Sequence, residues 1–405
     1  MIIRILLAIL LVAVLITGAL AWREAGYGTG ARDTSAAPEG ETREVAIVSN
    51  AVGGTLTLIG TDSLEPIATL NGIPDGRKVG FLRDPIQRLA QGRAEAAGGL
   101  NYGQDTDLSR DGTVLYISRG FLGDVVAMDI ASGDILWRTP IAGMRADHMD
   151  ISPDGKRLYV AALLFGGDVV EVLDTETGEK TGEFKAGIWP HDIHITDDGE
   201  HVYVASLGDM QLPLAERAQA EDAYLITKAD ADTLETLATY SFEAGIRPFA
   251  VTEDEKTAYA QLSNQHSIVA RDLETGTNST RIDLPVDEGV TEDDWDFEAP
   301  HHGLAMTGDE TLLCAAGRAS DYAAIVRTDG LSLVTTVDTG NAPSWAAITG
   351  NDRYCFLPNT RSDNVSVIDL EAMSEAARIP TGRGAKHITI GEIPVSVIAA
   401  LDASE

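Results

Sequence analysis

The sequence predicts an all-β fold, a seven-bladed β-propeller with four antiparallel strands in each blade. Short runs rich in Val, Ile, Leu and Tyr alternate with Asp-Gly and Thr-Gly turns throughout the 405 residues, a pattern typical of strands joined by tight turns. A strand–turn–strand unit recurs along the chain, and a second such unit follows each copy. Four strands in a repeat of about 43 residues are the size of one propeller blade.

The first unit of the repeat is represented by SPDGKRLYVA at 152–161, and the second by DTETGEKTGEF at 174–184. Each first unit should form the two inner strands of a blade, and each second unit the two outer strands. Two of the intervals between copies are longer because the chain carries insertions there. The seven first units begin at Gly103, Ala146, Pro190, Ile246, Pro300, Pro343 and Ala385.

The two ends of the chain are expected to complete one blade together. Residues 44–70 contain outer strands without an innermost one, and AKHITIG at 385–391 supplies an innermost strand alone. Joining the two ends would close the ring and leave no free sheet edge.

A resemblance to a known family accompanies this pattern. SPDGKRLYVA at 152–161 and VVEVLDTETGEKTGEF at 169–184 resemble the repeats of the YVTN-type β-propellers. These are grouped with quinoprotein amine dehydrogenase-like domains and the haem-d1 propeller of nitrite reductase. The resemblance covers about residues 44–401 and implies the propeller fold. Its members include lactonases, haem and copper enzymes and proteins of no known reaction, so it does not imply one function.

The N-terminus predicts export. Residues 1–22 combine Arg4, an apolar run and the small-residue pattern Ala19-Leu20-Ala21, which favours a cleaved signal peptide. An uncleaved membrane anchor is the alternative, because the run is nearly long enough to span a bilayer. Residues 23–43 are expected to be a flexible linker, and 44–405 to form the propeller.

Charge restricts the class of partner. The chain has 30 Lys and Arg against 63 Asp and Glu, a net charge of −33. Such a surface repels phosphate and excludes nucleic acid as a partner. We expect a monomer that binds a small-molecule ligand or an envelope protein, and that touches a membrane only through its N-terminal segment.

Six of the eight histidines lie where the predicted innermost strands begin. Equivalent positions in successive blades form a ring around the channel, so these side chains could converge there. The candidate metal ligands are His148, His191, His194, His301, His302 and His387. Other polar residues expected at the channel mouth are Asp105, Asp107, Asp147, Asp150, Asp192, Arg247 and Lys386.

Imidazole with carboxylate suits Zn, Cu, Fe or Ni, and imidazole can also bind haem iron. We expect a transition metal ahead of haem. The competing interpretation is that these groups form hydrogen bonds between blades, as in pairs of His148 with Asp150 and of Asp192 with His194. We number ring positions from the residue that follows the first residue of each repeated unit, so that His191 and His301 occupy the first ring position. These two histidines are expected to contact solvent.

Three insertions are expected on the face of the ring that carries the channel mouth, where loops usually bind ligands. Residues 72–102 carry Arg77, Lys78, Arg83, Arg88 and Arg93, for an anionic ligand or for neighbouring acids. Residues 286–299 carry four acids around Trp295 and Phe297, expected to form a solvated acidic loop rather than a cation site. The third insertion is 208–223.

The leading functional hypothesis is a propeller that binds a ligand, with metal as the specific expectation, or a partner at this mouth. One alternative is a metal- or haem-dependent oxidoreductase or lactonase-like hydrolase that uses the His/Asp ring. Another is an envelope scaffold with structural histidines. No Gly-x-Ser-x-Gly, phosphate-binding loop, Cys-x-x-Cys-His or His-Glu-x-x-His motif occurs. Export would permit a disulfide between Cys314 and Cys355, but strands of neighbouring repeats need not bring them together, and two buried, inert thiols are the favoured interpretation.

Overall fold

The computed structural model describes residues 27–28, 30–77, 101–143, 145–163, 168–220 and 222–402. Seven antiparallel sheets form a ring, which confirms the predicted seven-bladed propeller. The innermost strands of the seven blades contact one another in a closed cycle around the ring.

The first four blades follow one another along the chain. Blade 1 consists of β5 (Asp105–Leu108), β6 (Val114–Arg119), β7 (Asp124–Asp129) and β8 (Ile135–Pro140). Blade 2 consists of β9 (Arg145–Ile151), β10 (Arg157–Leu163), β11 (Val169–Asp174) and β12 (Lys180–Phe184). Blade 3 consists of β13 (Pro190–Ile195), β14 (His201–Ser206), β15 (Leu225–Asp230) and β16 (Thr236–Ser241). Blade 4 consists of β17 (Ile246–Val251), β18 (Thr257–Leu262), β19 (Ser267–Asp272) and β20 (Thr277–Asp283).

The remaining blades include the closing one. Blade 5 consists of β21 (Leu304–Met306), β22 (Leu312–Gly317), β23 (Tyr322–Arg327) and β24 (Ser332–Asp338). Blade 6 consists of β25 (Ala347–Ile348), β26 (Tyr354–Asn359), β27 (Asn364–Asp369) and β28 (Ser374–Pro380). Blade 7 joins β29 (Ala385–Pro394) to β2 (Thr42–Asn50), β3 (Thr55–Gly60) and β4 (Glu65–Asn71), which confirms that the two ends share a blade. Short helices are α1 (Leu214–Arg217) and α2 (Val395–Asp402).

The hydrophobic core lies between the blades. The middle strands β6 and β7 are buried along their whole length, whereas the outermost strand β28 alternates between exposed and covered residues. One cluster joins Tyr203 and Ile226 of blade 3 to Phe249 and Leu262 of blade 4. Because each sheet buries both faces against its neighbours, the blades stabilise one another and hold the innermost strands in fixed positions.

A β-bulge recurs at the start of the innermost strands. In blade 3, Pro190 pairs with Ser206 and Ile193 with Val204, so that two residues of β13 oppose one of β14. Similar shifts occur in blades 2, 4 and 7. A bulge changes the direction of the side chains beside it, and these bulges lie at the first ring positions of their strands.

The two cysteines form a disulfide, so the expectation of two free thiols is wrong. Cys314 of β22 and Cys355 of β26 lie in the second strands of adjacent blades, with their Cα atoms 6.6 Å apart. Strands at the same place in neighbouring repeats face each other across one blade interface. That proximity brings the two thiols within bonding distance.

Part of the segment expected to be a flexible linker packs on the propeller instead. Strand β1 (Tyr27–Gly28) adds to the outer edge of blade 1 by pairing with β8. The buried hydroxyl of Thr34 then lies 3.0 Å from the hydroxyl of Tyr116. The predicted signal or anchor segment lies outside the described residues, as do residues 78–100 of the first insertion. No helix among the described residues is long and apolar enough to cross a membrane.

Candidate functional site

Four histidines and one tryptophan meet on the axis of the ring. They come from five different blades, and we call them the axial cluster: His148, His191, His302, Trp345 and His387. The ring of Trp345 stacks on His148 with centroids 4.4 Å apart and lies 4.3 Å from His387. His148 lies 4.7 Å from His191, and His191 lies 5.5 Å from His302. Contact between non-adjacent blades such as 2 and 6 requires that these side chains point into the channel.

Local backbone geometry explains this convergence. His148, His191 and His387 lie at the bulges of β9, β13 and β29. His302 precedes Gly303, which has a φ of 152°. A Cβ atom at that glycine would lie 2.6 Å from the backbone carbon of Trp345. Glycine therefore allows the chain of blade 5 to pass close to Trp345 of blade 6.

Asp105 of blade 1 lies beside the axial cluster and contacts two of its imidazoles. We call Asp105, His148 and His387 the triad. The Oδ1 atom of Asp105 lies 2.8 Å from Nδ1 of His387, and its Oδ2 atom lies 3.2 Å from Nδ1 of His148. The backbone N–H groups of Thr106 and Met149 also donate to this carboxylate, at 2.6 Å and 2.8 Å. Each triad residue offers a ligand atom within 4.8 Å of the others, and all three are buried.

Burial and neighbouring charges set the protonation of the triad. Burial opposes the ionised form of Asp105, but His387 and His148 outweigh it and lower the pKa of this carboxyl. Burial also opposes the charge on His148, yet its hydrogen bond to Asp105 and the nearby carboxylates raise its pKa. For His387 burial dominates and lowers the pKa. The triad therefore combines an ionised carboxylate with imidazoles of different basicity.

The other two histidines of the cluster are held neutral. Burial, followed by repulsion from nearby cationic groups, lowers the pKa of His191 and of His302 well below the usual range. His302 lies with Nδ1 2.8 Å from the carbonyl oxygen of Ser344, so this nitrogen carries the proton and Nε2 is left as an acceptor. Nδ1 of His191 and both ring nitrogens of His387 lack a well-aligned hydrogen-bond partner among the described residues.

The remaining polar residues of the ring mostly tie blades together. Asp150 and Asp192 each accept a hydrogen bond from the backbone of the next blade, from Ile195 at 2.8 Å and from Phe249 at 3.1 Å. His194 lies beside Asp192 with 40% of its side chain exposed, outside the axial cluster. An Asp192–His194 pair is present at 3.3 Å, but both residues lie on β13, so it does not join two blades. His148 pairs with Asp105 of the preceding blade instead of Asp150.

Acids at the far end of the inner strands repel one another. Burial, with repulsion from Asp105 and Asp150, raises the pKa of Asp107 well above its usual value. Burial raises the pKa of Asp150 to about 7 against the attraction of His194. These two carboxyls lie beside the triad but outside it.

His301 belongs to a different place. Its ring lies 5.2 Å from His266 and 5.9 Å from Tyr322, and His266 contacts Trp295 of the insertion 286–299 at 5.3 Å. His301 is 0% exposed and His191 only 3%. The expectation that these two histidines contact solvent is therefore wrong. The insertion 286–299 covers His301, and the other rings of the axial cluster enclose His191.

The insertion 286–299 covers the mouth through ion pairs. Asp296 accepts hydrogen bonds from Arg318 at 2.7 Å and from Arg361 at 2.9 Å. Glu298 receives two hydrogen bonds from Arg217 of α1, at 2.7 Å and 3.1 Å. These acids are paired with arginines, so the expectation of a solvated acidic loop is wrong for this part of the insertion.

Two residues of the mouth were missed by sequence reasoning. Trp345 occupies the second ring position, where the other blades carry smaller groups, and an aromatic residue there was a usable signal. Arg145 precedes the first ring position of blade 2 and pairs with Asp147 at 3.1 Å. Nothing in the repeat singles it out.

No protein-family model matches this chain, and no curated protein sequence matches it. Solved structures do show the same fold. Hydrazine synthase of Kuenenia stuttgartiensis is 17% identical, with a TM-score of 0.60 over 82% of this chain and 93% of that one. The dihydro-haem d1 dehydrogenase NirN, solved in complex with DHE, is 12% identical, with a TM-score of 0.58 over 88% of this chain and 68% of that one. At these identities the similarity establishes the propeller fold alone.

Proposed function

We propose that this chain is an exported, YVTN-type β-propeller that binds a transition metal ion at Asp105, His148 and His387. One observation carries the proposal. Among the described residues, these three alone bring His, Cys, Asp or Glu ligand atoms within 4.8 Å of one another. They lie on the axis of the ring, beside the face that carries the insertions.

The donor set suits a divalent first-row metal. Two imidazoles and one carboxylate are typical ligands for Fe(II) or Zn(II), and they leave coordination positions for water or a substrate. Supporting hydrogen bonds are also present. Thr106 and Met149 orient Asp105 through their backbone N–H groups, and Nε2 of Gln104 lies 3.3 Å from Nε2 of His148. Such outer contacts usually fix the ligands of a metal centre.

Residues beside the triad would act on a bound ligand. The metal would supply Lewis-acid or redox chemistry. His191 and His302 are held neutral next to the triad, so each can accept a hydrogen bond or a proton from a ligand that enters through the mouth. Trp345 stacks on His148 and packs at a tilt against His387, so it restricts the rotation of both triad imidazoles.

A second candidate is a metal-dependent oxidoreductase built on the same triad. It is favoured by the similarity in fold to NirN, which is a dehydrogenase by name. The Cys314–Cys355 disulfide supports export in either case, because disulfides persist in oxidising compartments. An absorption band in the visible spectrum would favour the oxidoreductase.

Metal content tests the proposal. The full-length chain would be exposed to Fe(II), Zn(II) and Cu(II), freed of excess metal and analysed by mass spectrometry together with its visible spectrum. We expect stoichiometric metal in the wild type. His387→Ala and Asp105→Asn should lose it while retaining a cooperative thermal transition.

The matched control is His201→Ala. His201 is a histidine outside the axial cluster, with Nδ1 3.0 Å from Glu255, and this variant should retain the metal. A wild type that stays metal-free, or triad variants that retain as much metal as the control, would overturn the proposal and favour an envelope scaffold.

A further inference from the structure

The mouth of the channel is cationic, although the chain as a whole carries a net charge of −33. Five basic side chains lie close enough around the mouth to influence one another: Arg145, Arg217, Arg247, Arg318 and Lys386. Three carboxylates near these cations form ion pairs with arginines. Asp147 pairs with Arg145, Asp296 with both Arg318 and Arg361, and Glu298 with Arg217. Two of the five cations are therefore left without a carboxylate partner among the described residues.

Arg247 is the first of these. It occupies the first ring position of blade 4 and is only 2% exposed. Its guanidinium donates to the hydroxyl of Ser263 at 2.9 Å and to the carbonyl oxygen of Phe297, and it lies 3.9 Å from the sulfur of Met210. All of these partners are neutral. A buried charge without a counter-ion is costly and uncommon in proteins.

Lys386 is the second. It occupies the first ring position of blade 7, and its ammonium donates to the side-chain oxygens of Asn101 at 2.9 Å and Gln104 at 2.7 Å. These amides accept two of the three hydrogens of the ammonium, and being neutral they do not balance its charge. The same Gln104 lies beside His148 of the triad, so Lys386 lies next to the axial cluster.

Arg247 is electrostatically strained. Burial lowers its pKa to about 10, against the attraction of Glu298 and together with repulsion from Arg217 and Arg318. A negatively charged ligand beside Arg247 and Lys386 would supply the counter-charge that their neutral partners lack.

The positions of the two cations indicate the shape of the ligand. Blades 4 and 7 are three places apart in a ring of seven, so Arg247 and Lys386 approach the mouth from nearly opposite sides. One compact oxyanion concentrates its charge at a single point. A short chain with a carboxylate at each end could pair with the guanidinium at one side and the ammonium at the other.

We propose that the channel mouth binds a short organic dicarboxylate, with Arg247 and Lys386 as its two counter-ions. This inference rests on the proposed function only in placing the ligand above the metal triad, and the ion pairs do not require the metal. It makes a dicarboxylic acid the substrate or ligand class of the same site.

Calorimetric titration of the full-length, chelator-treated protein with malonate, succinate and glutarate tests the proposal, with acetate and inorganic phosphate as comparison probes. We expect at least one dicarboxylate to bind more tightly than acetate or phosphate. Arg247→Gln and Lys386→Gln should each weaken that binding by about 10- to 100-fold, since each removes a charge-assisted hydrogen bond. Arg281→Gln, at an exposed Arg281–Asp283 pair, should bind as the wild type does.

The two proposals fail in different ways. His387→Ala should lose metal and retain the dicarboxylate, and Lys386→Gln should lose the dicarboxylate and retain metal. Equal affinity for acetate and for every dicarboxylate, no binding of any probe, or unchanged binding in both cation variants would overturn the dicarboxylate site. None of these results would affect the metal measurement.

Discussion

Residues at equivalent ring positions have different roles according to their neighbours. His302 and His387 both occupy the second position and reach the axis, where they contact Trp345. His301, one position earlier, is buried against His266 beneath an insertion. His194 lies two residues after Asp192, which occupies the second ring position of blade 3. It is partly exposed and pairs with Asp192. The chemistry of each imidazole therefore follows from what its blade places beside it.

His194 makes a prediction about pH. Burial opposes its charge, but Asp192, their hydrogen bond and Asp150 outweigh burial and raise its pKa from 6.5 to about 9. A group whose pKa is raised in the folded state stabilises the fold fully below the unfolded pKa, and this contribution is lost as pH rises through the folded pKa. The unfolding temperature of the wild type should therefore fall as the pH rises from 6.5 to about 9.

Thermal unfolding of the wild type and His194→Gln at several pH values checks this. The variant should be less stable below pH 6.5 and should show a flatter profile up to about pH 9. Because 40% of this side chain is exposed, solvent screens the pair and the difference should be modest. Parallel profiles for the two proteins would contradict the assigned role of the Asp192–His194 pair.

At the scale of the strand, the repeat predicts where each element lies but not how its first residues are directed. The periodicity predicts the innermost strands and the shared blade of β29 and β2. It also predicts that His148, His191, His302 and His387 lie near the channel. The bulge that opposes His191 and Asp192 to one residue of β14 is set by pairing between strands, so an alternating pattern in one strand cannot reveal it.

The disulfide was missed for a similar reason. Cys314 and Cys355 are 41 residues apart, close to one repeat length. That spacing places them at similar heights in adjacent blades, but only the packing of β22 against β26 decides whether their side chains face each other. Arg247 and Lys386 were predicted at the mouth, but their lack of carboxylate partners depends on how Asp147, Asp296 and Glu298 are paired. Sequence alone does not contain that information.

The disulfide should make the wild type measurably more stable than a variant in which the two blades are not covalently linked. The bond links buried strands and closes a loop of 41 residues, so the Cys314→Ala/Cys355→Ala variant should lose about 2–4 kcal/mol of unfolding free energy. Denaturant unfolding without reductant measures the loss. Reductant should destabilise the wild type toward the variant and leave the variant unchanged. Equal stability of the two proteins without reductant would show that the bond does not contribute.

At the scale of the whole molecule, ring closure and net charge act in opposite directions. The terminal blade ties both ends of the chain into one sheet, since β29 pairs with β2 along nine residues from Thr42 to Asn50. With 63 acidic and 30 basic residues the chain has a net charge of −33, and these excess negative charges repel one another within the closed ring. Self-repulsion of this kind destabilises a compact state, and dissolved ions screen it.

Added salt should therefore raise the unfolding temperature of this protein, with most of the gain at low ionic strength, where the screening length changes most. Thermal unfolding in increasing NaCl measures the effect, and choline chloride should reproduce it because screening depends on ionic strength rather than on the cation. Sucrose, which adds no ions, should not show the same saturation. Dicarboxylate binding should weaken over the same salt range, since Arg247 and Lys386 are screened as well. An unfolding temperature that is constant in both salts would mean that the acids are already neutralised by local pairs such as Arg353–Asp369, and that charge repulsion does not limit the stability of the ring.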